Sequence, residues 1–122
     1  MVRVLVADDD PAVRGALDRA LRLEGYDVTL TSDGQEALEA VWAAAPDAVV
    51  LDLLMPGVNG FETIQRLRAE QPAVAIVAHP GVAGSFVRDE MDRLDVPLVL
   101  KSGRVDVLAD VVRAEVRRRR KE

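Results

Sequence analysis

The sequence predicts an α/β fold in which a parallel five-stranded sheet is covered by helices on both faces. Short apolar, β-branched runs alternate five times with segments whose apolar residues recur at helical spacing. No linker or low-complexity segment interrupts this alternation, and 122 residues suit one compact domain. Because successive βα units require parallel strands with right-handed crossovers, the sheet is expected to be doubly wound.

The first βα unit has the clearest pattern. Residues 2–7 form a short β-branched run that predicts strand one. Pro11 suits the first turn of the helix that follows, and Gly25 is expected to end that helix. Residues 26–30 predict strand two, which the polar Thr29 makes less buried than strand one.

The second and third helices flank an uninterrupted apolar strand. Residues 32–34, Ser-Asp-Gly, open helix two, and Pro46 closes it. Residues 48–51 are apolar throughout, as in a strand that is covered on both faces, and predict strand three. Helix three is expected after the loop at residues 53–59.

The second half of the chain repeats the alternation. Residues 73–77 predict strand four, and residues 85–94 predict helix four. Residues 96–100 predict strand five, and the last helix is expected from about residue 104. These segments complete the five alternations of strand and helix.

Composition and charge exclude several classes of protein. Hydrophobic residues make up 49% of the chain and charged residues 30%, as in globular proteins, and no apolar run approaches the ~20 residues of a membrane helix. With no cysteine, disulfides, thiolate zinc sites and cysteine nucleophiles are excluded. With no secretory leader recognised either, we expect a cytoplasmic protein without a membrane partner.

The charge is unevenly distributed along the chain. The last six residues carry five positive charges and one negative charge, a net charge of +4. Because the whole chain carries a net charge of −5, residues 1–116 carry −9. We therefore divide the chain into a domain at 1–116 and a basic C-terminal tail at 117–122. The tail is either a nucleic-acid arm or linker, or a solvated helix end, which the helix dipole favours. We prefer the helix end.

Carboxylates follow two of the predicted strands, and an amine follows a third. Asp8, Asp9 and Asp10 come directly after strand one, Asp52 closes strand three, and Lys101 follows strand five. In doubly wound sheets, ligands bind outside the carboxyl ends of the strands, where the strand order reverses. We therefore expect these five side chains to meet at one edge of the sheet.

Such a cluster favours a divalent cation and phosphoryl chemistry. Neighbouring carboxylates repel one another unless a cation neutralises them. Mg²⁺ prefers one or two carboxylates together with waters and phosphate oxygens, which fits this set of side chains. A lysine would then pair with a phosphate or with Asp52. The alternative, an acidic loop that is merely solvated, does not explain why Asp52 and Lys101 converge on the same edge.

Three segments carry a family resemblance. These are VRVLVADDDPAVRGAL, GYDVTLTSDGQEALEAV and VVLDLLMPGVNG, in which Asp52 is followed by Pro56 and Gly60. Over nearly its whole length the chain resembles the receiver domain of bacterial two-component response regulators. The resemblance implies a flavodoxin-like (βα)5 fold with strand order 2-1-3-4-5.

The resemblance also implies roles for the clustered residues. Asp52 would accept a phosphoryl group from a histidine kinase, a phosphotransfer protein or a small phosphodonor. Asp9 and Asp52 would bind Mg²⁺ directly, Asp8 would bind it through water, and the Leu54 carbonyl would complete the protein ligands. Lys101 would hold Asp52 and then the phosphoryl oxygens. The domain would be no enzyme beyond self-directed phosphoryl transfer and autodephosphorylation.

The second half departs from the family pattern at three switch positions. Receivers usually have a Thr or Ser at the end of strand four, where this chain has Ala78, or Val77 in another alignment. The usual aromatic residue three positions before the lysine is replaced by Leu98, and the usual proline after the lysine by Ser102. Because a non-proline cis bond costs about 2.5–4 kcal/mol, the peptide bond before Ser102 is expected to be trans.

Two other classes of protein are alternatives to a phosphoacceptor. A phosphorylation-independent pseudo-receiver would keep the fold and act as an interaction module, and the three departures favour it. A phosphatase of the haloacid dehalogenase type would use Asp8 and Asp10, but Pro11 and the short chain argue against it. Asp10 is instead expected to contribute local charge or to stabilise a helix start. The partners implied are a kinase and an output domain or partner protein, with a homodimer also allowed and no direct nucleic-acid binding.

Overall fold

A computed structural model describes residues 1–55 and 59–120, so that Pro56 of the motif lies outside the described residues. The strands within this part of the chain are β1 (Arg3–Ala7), β2 (Asp27–Thr31), β3 (Ala48–Leu51) and β4 (Ala75–Ala78). The helices are α1 (Pro11–Leu23), α2 (Gly34–Ala43), α3 (Gly60–Glu70), α4 (Ser85–Arg93) and α5 (Val105–Arg120).

The strands form one parallel sheet in the order β2-β1-β3-β4. The predicted parallel sheet is confirmed, and its first four strands have the expected order. The prediction of a fifth strand at residues 96–100 is wrong for the described part of the chain. That segment makes only one isolated parallel bridge, between Leu98 and Ala78.

Two prolines explain why the fifth strand does not form. Around the single bridge, Ala78 N donates to Pro97 O, and Val99 N donates to Ala78 O, each at 2.9 Å. In a parallel ladder the next bonds on either side would be donated by the N–H groups of Pro97 and Pro80, which prolines lack. The ladder therefore stops in both directions. Lys101 N still donates to Pro80 O at 2.9 Å, which holds the segment beside β4.

The core consists of two clusters, one on each face of the sheet. Side chains alternate between the faces along each strand, so neighbouring strand residues enter different clusters. One cluster packs strand residues against α2, α3 and α4, and includes Leu5, Val49, Ile76, Leu38, Ile64 and Met91. The other packs against α1 and α5, and includes Val4, Val50, Val77, Leu17, Leu108 and Val112. Helices on both faces confirm the doubly wound arrangement.

Side chains cap the first three helices at their N-termini. Asp10 accepts a hydrogen bond from Ala12 N at 2.9 Å, which confirms its predicted role at the start of α1. Asp33 caps α2 in the same way, and Asn59 accepts from Phe61 N at 2.8 Å at the start of α3. Each such cap contributes about 1 kcal/mol. The caps fix the chain where it leaves the carboxyl edge of the sheet.

Gly60 lies against the loop that follows β3. A Cβ atom at this position would stand 2.6 Å from Leu53 O and 2.7 Å from Leu53 Cα. These are backbone atoms, which cannot move aside as a flexible side chain can. The glycine of the motif therefore allows α3 to start close to the segment that carries Asp52.

The last helix extends through most of the basic C-terminus. Residues 117–120 belong to α5, so this part of the predicted tail is helical. The division of the chain at residue 116 stays a prediction. Within residues 1–55 and 59–120, no helix is both long and apolar enough to cross a membrane.

Candidate functional site

Asp52 lies at the end of β3, on the carboxyl edge of the sheet. Its side chain is 4% exposed. Its backbone N donates to Ala7 O at 2.9 Å, which continues the pairing with β1. Its carboxylate accepts two hydrogen bonds, from Leu54 N to Oδ1 at 3.2 Å and from Lys101 Nζ to Oδ2 at 3.0 Å. Asp52 is thus fixed between a backbone amide and an ammonium group.

Asp8 and Asp9 follow β1 and lie beside Asp52. Asp8 is buried, and its Oδ1 accepts from Asp10 N at 2.9 Å. Its Oδ2 lies 2.9 Å from Lys101 Nζ. Asp9 is exposed, yet one of its oxygens and one oxygen each from Asp8 and Asp52 all lie within 4.8 Å of one another. The structure therefore brings together four of the five side chains that the sequence predicts to converge, whereas the carboxylate of Asp10 caps α1 instead.

The donor set fits a hard divalent cation. Its carboxylates supply only oxygen ligands, which Mg²⁺ prefers. Asp8 Oδ2 is buried, and the ammonium group of Lys101 lies 2.9 Å from it. Asp8, Asp9 and Asp52 could share an ion, because one oxygen of each lies within 4.8 Å of the others. The ligand role of the Leu54 carbonyl stays a prediction.

Burial and charge shift the pKa values of the central pair. Burial raises the pKa of Asp52, the hydrogen bonds from Lys101 and Leu54 oppose this rise, and the net pKa lies above its usual value of 3.8. Burial lowers the pKa of Lys101, but the carboxylates of Asp8 and Asp52 outweigh burial and raise it above its usual value. Lys101 therefore stays charged at neutral pH and offsets part of the repulsion between the two carboxylates.

The residues at the three departures from the family pattern differ in their surroundings. Ala78 pairs with Leu51 in the register of β3 and β4, and its side chain belongs to the cluster under α2, α3 and α4. Leu98 bridges to Ala78 and packs on the same cluster. Ser102 is exposed, and the peptide bond that precedes it is trans, as predicted.

His79 is a site residue that the sequence reasoning missed. In the sequence it precedes Pro80 and Gly81, which indicates a loop residue. In the structure it is 6% exposed, and its backbone N donates to Leu51 O at 2.8 Å. Burial lowers its pKa, while the charge of Asp8 raises it and that of Lys101 lowers it. Only the strand register could have identified it, because a shift of one residue decides which side chain stands beside Asp52.

Comparison with protein families and curated proteins gives one consistent result. The family model described as response regulator receiver domain matches residues 4–108. The chain is 38% identical to the DNA-binding response regulator MtrA of Mycolicibacterium smegmatis, over 98% of this chain and 52% of that protein. It is 45% identical to response regulator MprA of Mycolicibacterium vanbaalenii, over 67% of this chain and 37% of that protein. The chain thus spans about half or less of these relatives.

Solved structures give the same result for the fold. A CheY-like receiver domain from Methanospirillum hungatei superimposes with a TM-score of 0.92 over 99% of this chain and 98% of that chain, at 19% identity. Response regulator TrrA from Thermotoga maritima, solved in complex with Mg²⁺-BeF, superimposes with a TM-score of 0.85 at 31% identity. That match covers 93% of this chain and 98% of TrrA.

Proposed function

Because the chain belongs to the response regulator receiver domain family of two-component systems, we propose that Asp52 accepts a phosphoryl group in a Mg²⁺-dependent reaction. The donor would be a histidine kinase, a phosphotransfer protein or a small phosphodonor. The domain would be a phosphoacceptor rather than an enzyme with a separate substrate. Its catalysis would be limited to its own phosphorylation and dephosphorylation.

The arrangement of Asp8, Asp52 and Lys101 is the observation that carries this proposal. Two buried carboxylates at the end of neighbouring strands share one ammonium group, at 2.9 Å and 3.0 Å. A structural ion pair needs only one carboxylate, whereas Asp9 adds a third, with an oxygen within 4.8 Å of an oxygen of each of the other two. The excess of negative charge is what a site for a divalent cation requires, and the bound cation would in turn attract the phosphoryl oxygens.

Phosphoryl transfer requires mainly that the protein position the reacting groups and stabilise their charge. A carboxylate oxygen of Asp52 forms a bond to phosphorus while the bond from phosphorus to the donor nitrogen breaks, and the electron pair returns to that nitrogen. Lys101 holds Asp52 in place and neutralises charge on the phosphoryl oxygens. When bound by Asp9 and Asp52, and by Asp8 through water, Mg²⁺ supplies further neutralisation of those oxygens.

Phosphorylation by a small donor tests the proposal. Incubation with Mg²⁺ and phosphoramidate should add one phosphoryl group, measured by intact mass. The adduct should be labile in alkali, as acyl phosphates are. Asp52→Asn should abolish the adduct, whereas Asp110→Asn, at an exposed carboxylate of α5, should leave it intact. A wild-type protein that neither gains the adduct nor binds Mg²⁺ would instead support a pseudo-receiver.

The response to phosphorylation is expected to differ from that of typical receivers. Shifting a two-state element from 1:99 to 99:1 requires about 5.5 kcal/mol. One hydrogen bond to a charged group supplies about 1.5–3 kcal/mol, so a missing switch hydroxyl near Ala78 removes up to half of that drive. Leu98 and Ser102 change the segment beside β4 further. We therefore expect phosphoryl acceptance to be retained and its coupling to the surface of α4 and α5 to be altered.

The partners follow from the same family membership. MtrA is named a DNA-binding response regulator, and this chain spans 52% of its length. We propose that residues 1–116 bind no nucleic acid themselves, because they carry a net charge of −9. Output would pass to an output domain, a partner protein or a second copy of the domain. A cytoplasmic location would give access to the kinase.

A further inference from the structure

His79 stands beside Asp52 at the carboxyl edge of the sheet. β3 and β4 pair Leu51 with Ala78, and the bond from His79 N to Leu51 O at 2.8 Å continues this register by one step. His79 is therefore level with Asp52. Because successive side chains point to opposite faces, His79 lies on the face of Asp52, whereas Ala78 lies on the face of Leu51.

The imidazole of His79 is a buried polar group with an unused nitrogen. Its Nδ1 is buried and has no hydrogen-bond partner among the residues that the structure describes. A buried polar atom without a partner costs about 1–3 kcal/mol, so such atoms call for an explanation. Burial favours the neutral ring, which carries one donor and one acceptor nitrogen. The ring thus has hydrogen-bonding capacity that the described residues leave unused.

Two charged groups of the site also act electrostatically on this ring. The charges of Asp8 and Lys101 shift the pKa of His79 in opposite directions, and both residues flank Asp52. A phosphoryl group on Asp52 would bring oxygens that accept hydrogen bonds into this space. The side chain of Ala78 has no donor to offer them.

We propose that His79 is a phosphoryl-binding residue whose imidazole donates a hydrogen bond to an oxygen of the phosphoryl group on Asp52. The proposal rests on the proposed function, since it requires Asp52 to carry that group. It moves the donor that receivers usually place at the end of strand four one residue further along the chain. His79 takes no part in the covalent step.

The wild-type protein allows a direct test, because His79 is the only histidine of the chain. Its ring nitrogens can be followed without overlap by nitrogen NMR of labelled protein. We expect Mg²⁺ with beryllofluoride, a phosphoryl mimic, to shift the ring signals and to slow exchange of the ring N–H proton. Ring signals that stay unchanged while fluorine NMR shows beryllofluoride bound to the protein would overturn the proposal.

Two variants of His79 distinguish a side chain that donates a hydrogen bond from one that only fills space. His79→Leu retains much of the side-chain volume without a donor, whereas His79→Gln retains a donor. We expect His79→Leu to weaken beryllofluoride binding by about tenfold or more, as the loss of one hydrogen bond to a charged group implies, and His79→Gln to restore most of it. Binding of Mg²⁺ alone should be similar in all three proteins. Equal beryllofluoride affinity in all three would contradict the donor role.

The outcomes distinguish this inference from the proposed function. If wild-type protein forms the alkali-labile adduct and His79→Leu and His79→Gln bind beryllofluoride equally well, only the role of His79 is wrong. If wild-type protein forms no adduct and binds no beryllofluoride, the proposed function fails and the inference fails with it. The NMR experiment requires no variant, so a folding defect in His79→Leu does not affect that result.

Discussion

The two halves of the domain differ in how firmly the chain is held at the carboxyl edge of the sheet. In the first half, β1, β2 and β3 form continuous ladders, and side-chain caps start α1, α2 and α3. In the second half, the segment at 96–100 makes one bridge, and the N-cap residue of α4 is Gly84, which provides no side-chain cap. The half that holds the carboxylates is thus more constrained than the half expected to respond. The proposed phosphoryl acceptance and the expected response to it would therefore depend on different parts of the chain.

Lys101 connects these halves, and its removal should have the largest effect. Lys101→Ala would leave Asp8 and Asp52 buried without the ammonium group that both contact. We expect the initial rate of phosphorylation by phosphoramidate to fall by about 10- to 150-fold, since the loss of one hydrogen bond to a charged group costs about 1.5–3 kcal/mol. Arg104→Ala, which removes an exposed ion pair with Asp106, is the control and should change the rate little. A Lys101→Ala protein phosphorylated at the wild-type rate would show that the two halves act independently.

A pair of glycine substitutions compares the packing of the two halves. Gly60→Ala would place a Cβ 2.6 Å from Leu53 O, so we expect a loss of about 2–3 kcal/mol in the free energy of unfolding, measured with urea. Gly81→Ala meets nothing within 4 Å and should change stability by less than about 0.5 kcal/mol. Equal effects of the two substitutions would mean that the second half is as tightly packed as the first.

The pH dependence of stability should report the burial of Asp52. Because the folded-state pKa of Asp52 is raised, the folded protein binds this proton more tightly than the unfolded chain does. The contribution of Asp52 to stability should therefore fall as the pH rises through its unfolded pKa, near 3.8, to its folded pKa. Urea unfolding of wild type and Asp52→Asn between pH 3 and pH 7 would measure this, with Asp52→Asn becoming relatively more stable as the pH rises. A difference that is independent of pH would contradict the raised pKa.

The smallest effect is expected when the backbone donor that the interrupted ladder lacks at residue 97 is restored. Pro97→Val restores an N–H that can donate to Ile76 O, by the spacing of the bonds around Ala78. One added backbone hydrogen bond should change the free energy of unfolding by only about 1 kcal/mol or less. Hydrogen exchange should nevertheless show one additional slowly exchanging amide, at residue 97. A fast-exchanging amide there would indicate that the proline is not what ends the ladder.

The sequence predicted most of the fold because its pattern is local. Helical spacing and β-branched runs located four strands and five helices, and the rule that ligands bind at the carboxyl ends of parallel strands brought Asp8, Asp9, Asp52 and Lys101 together. Those residues meet in the structure, although their roles in metal and phosphoryl binding stay predictions. The acidic pair and Asp52 also lie in motifs that the family shares.

The features that escaped prediction depend on pairing between strands. An apolar run such as residues 96–100 looks like a strand until its partner is known, because the missing donors of Pro80 and Pro97 matter only in register with β4. The same holds for His79, whose place beside Asp52 follows from the pairing of β3 with β4. A single sequence fixes neither register, since a shift by one residue leaves the local pattern unchanged.

The interrupted ladder beside β4 also affects whether a strand of another molecule can add to this edge of the sheet. An exposed, regular sheet edge is a template on which a strand of another molecule can add, which leads to aggregation. Here the edge ends in a segment with one bridge at Leu98, which is too short to offer a regular row of donors and acceptors. The same two prolines that cost the domain its fifth strand thus remove a template for strand addition at this edge, whereas β2 forms the opposite edge of the sheet.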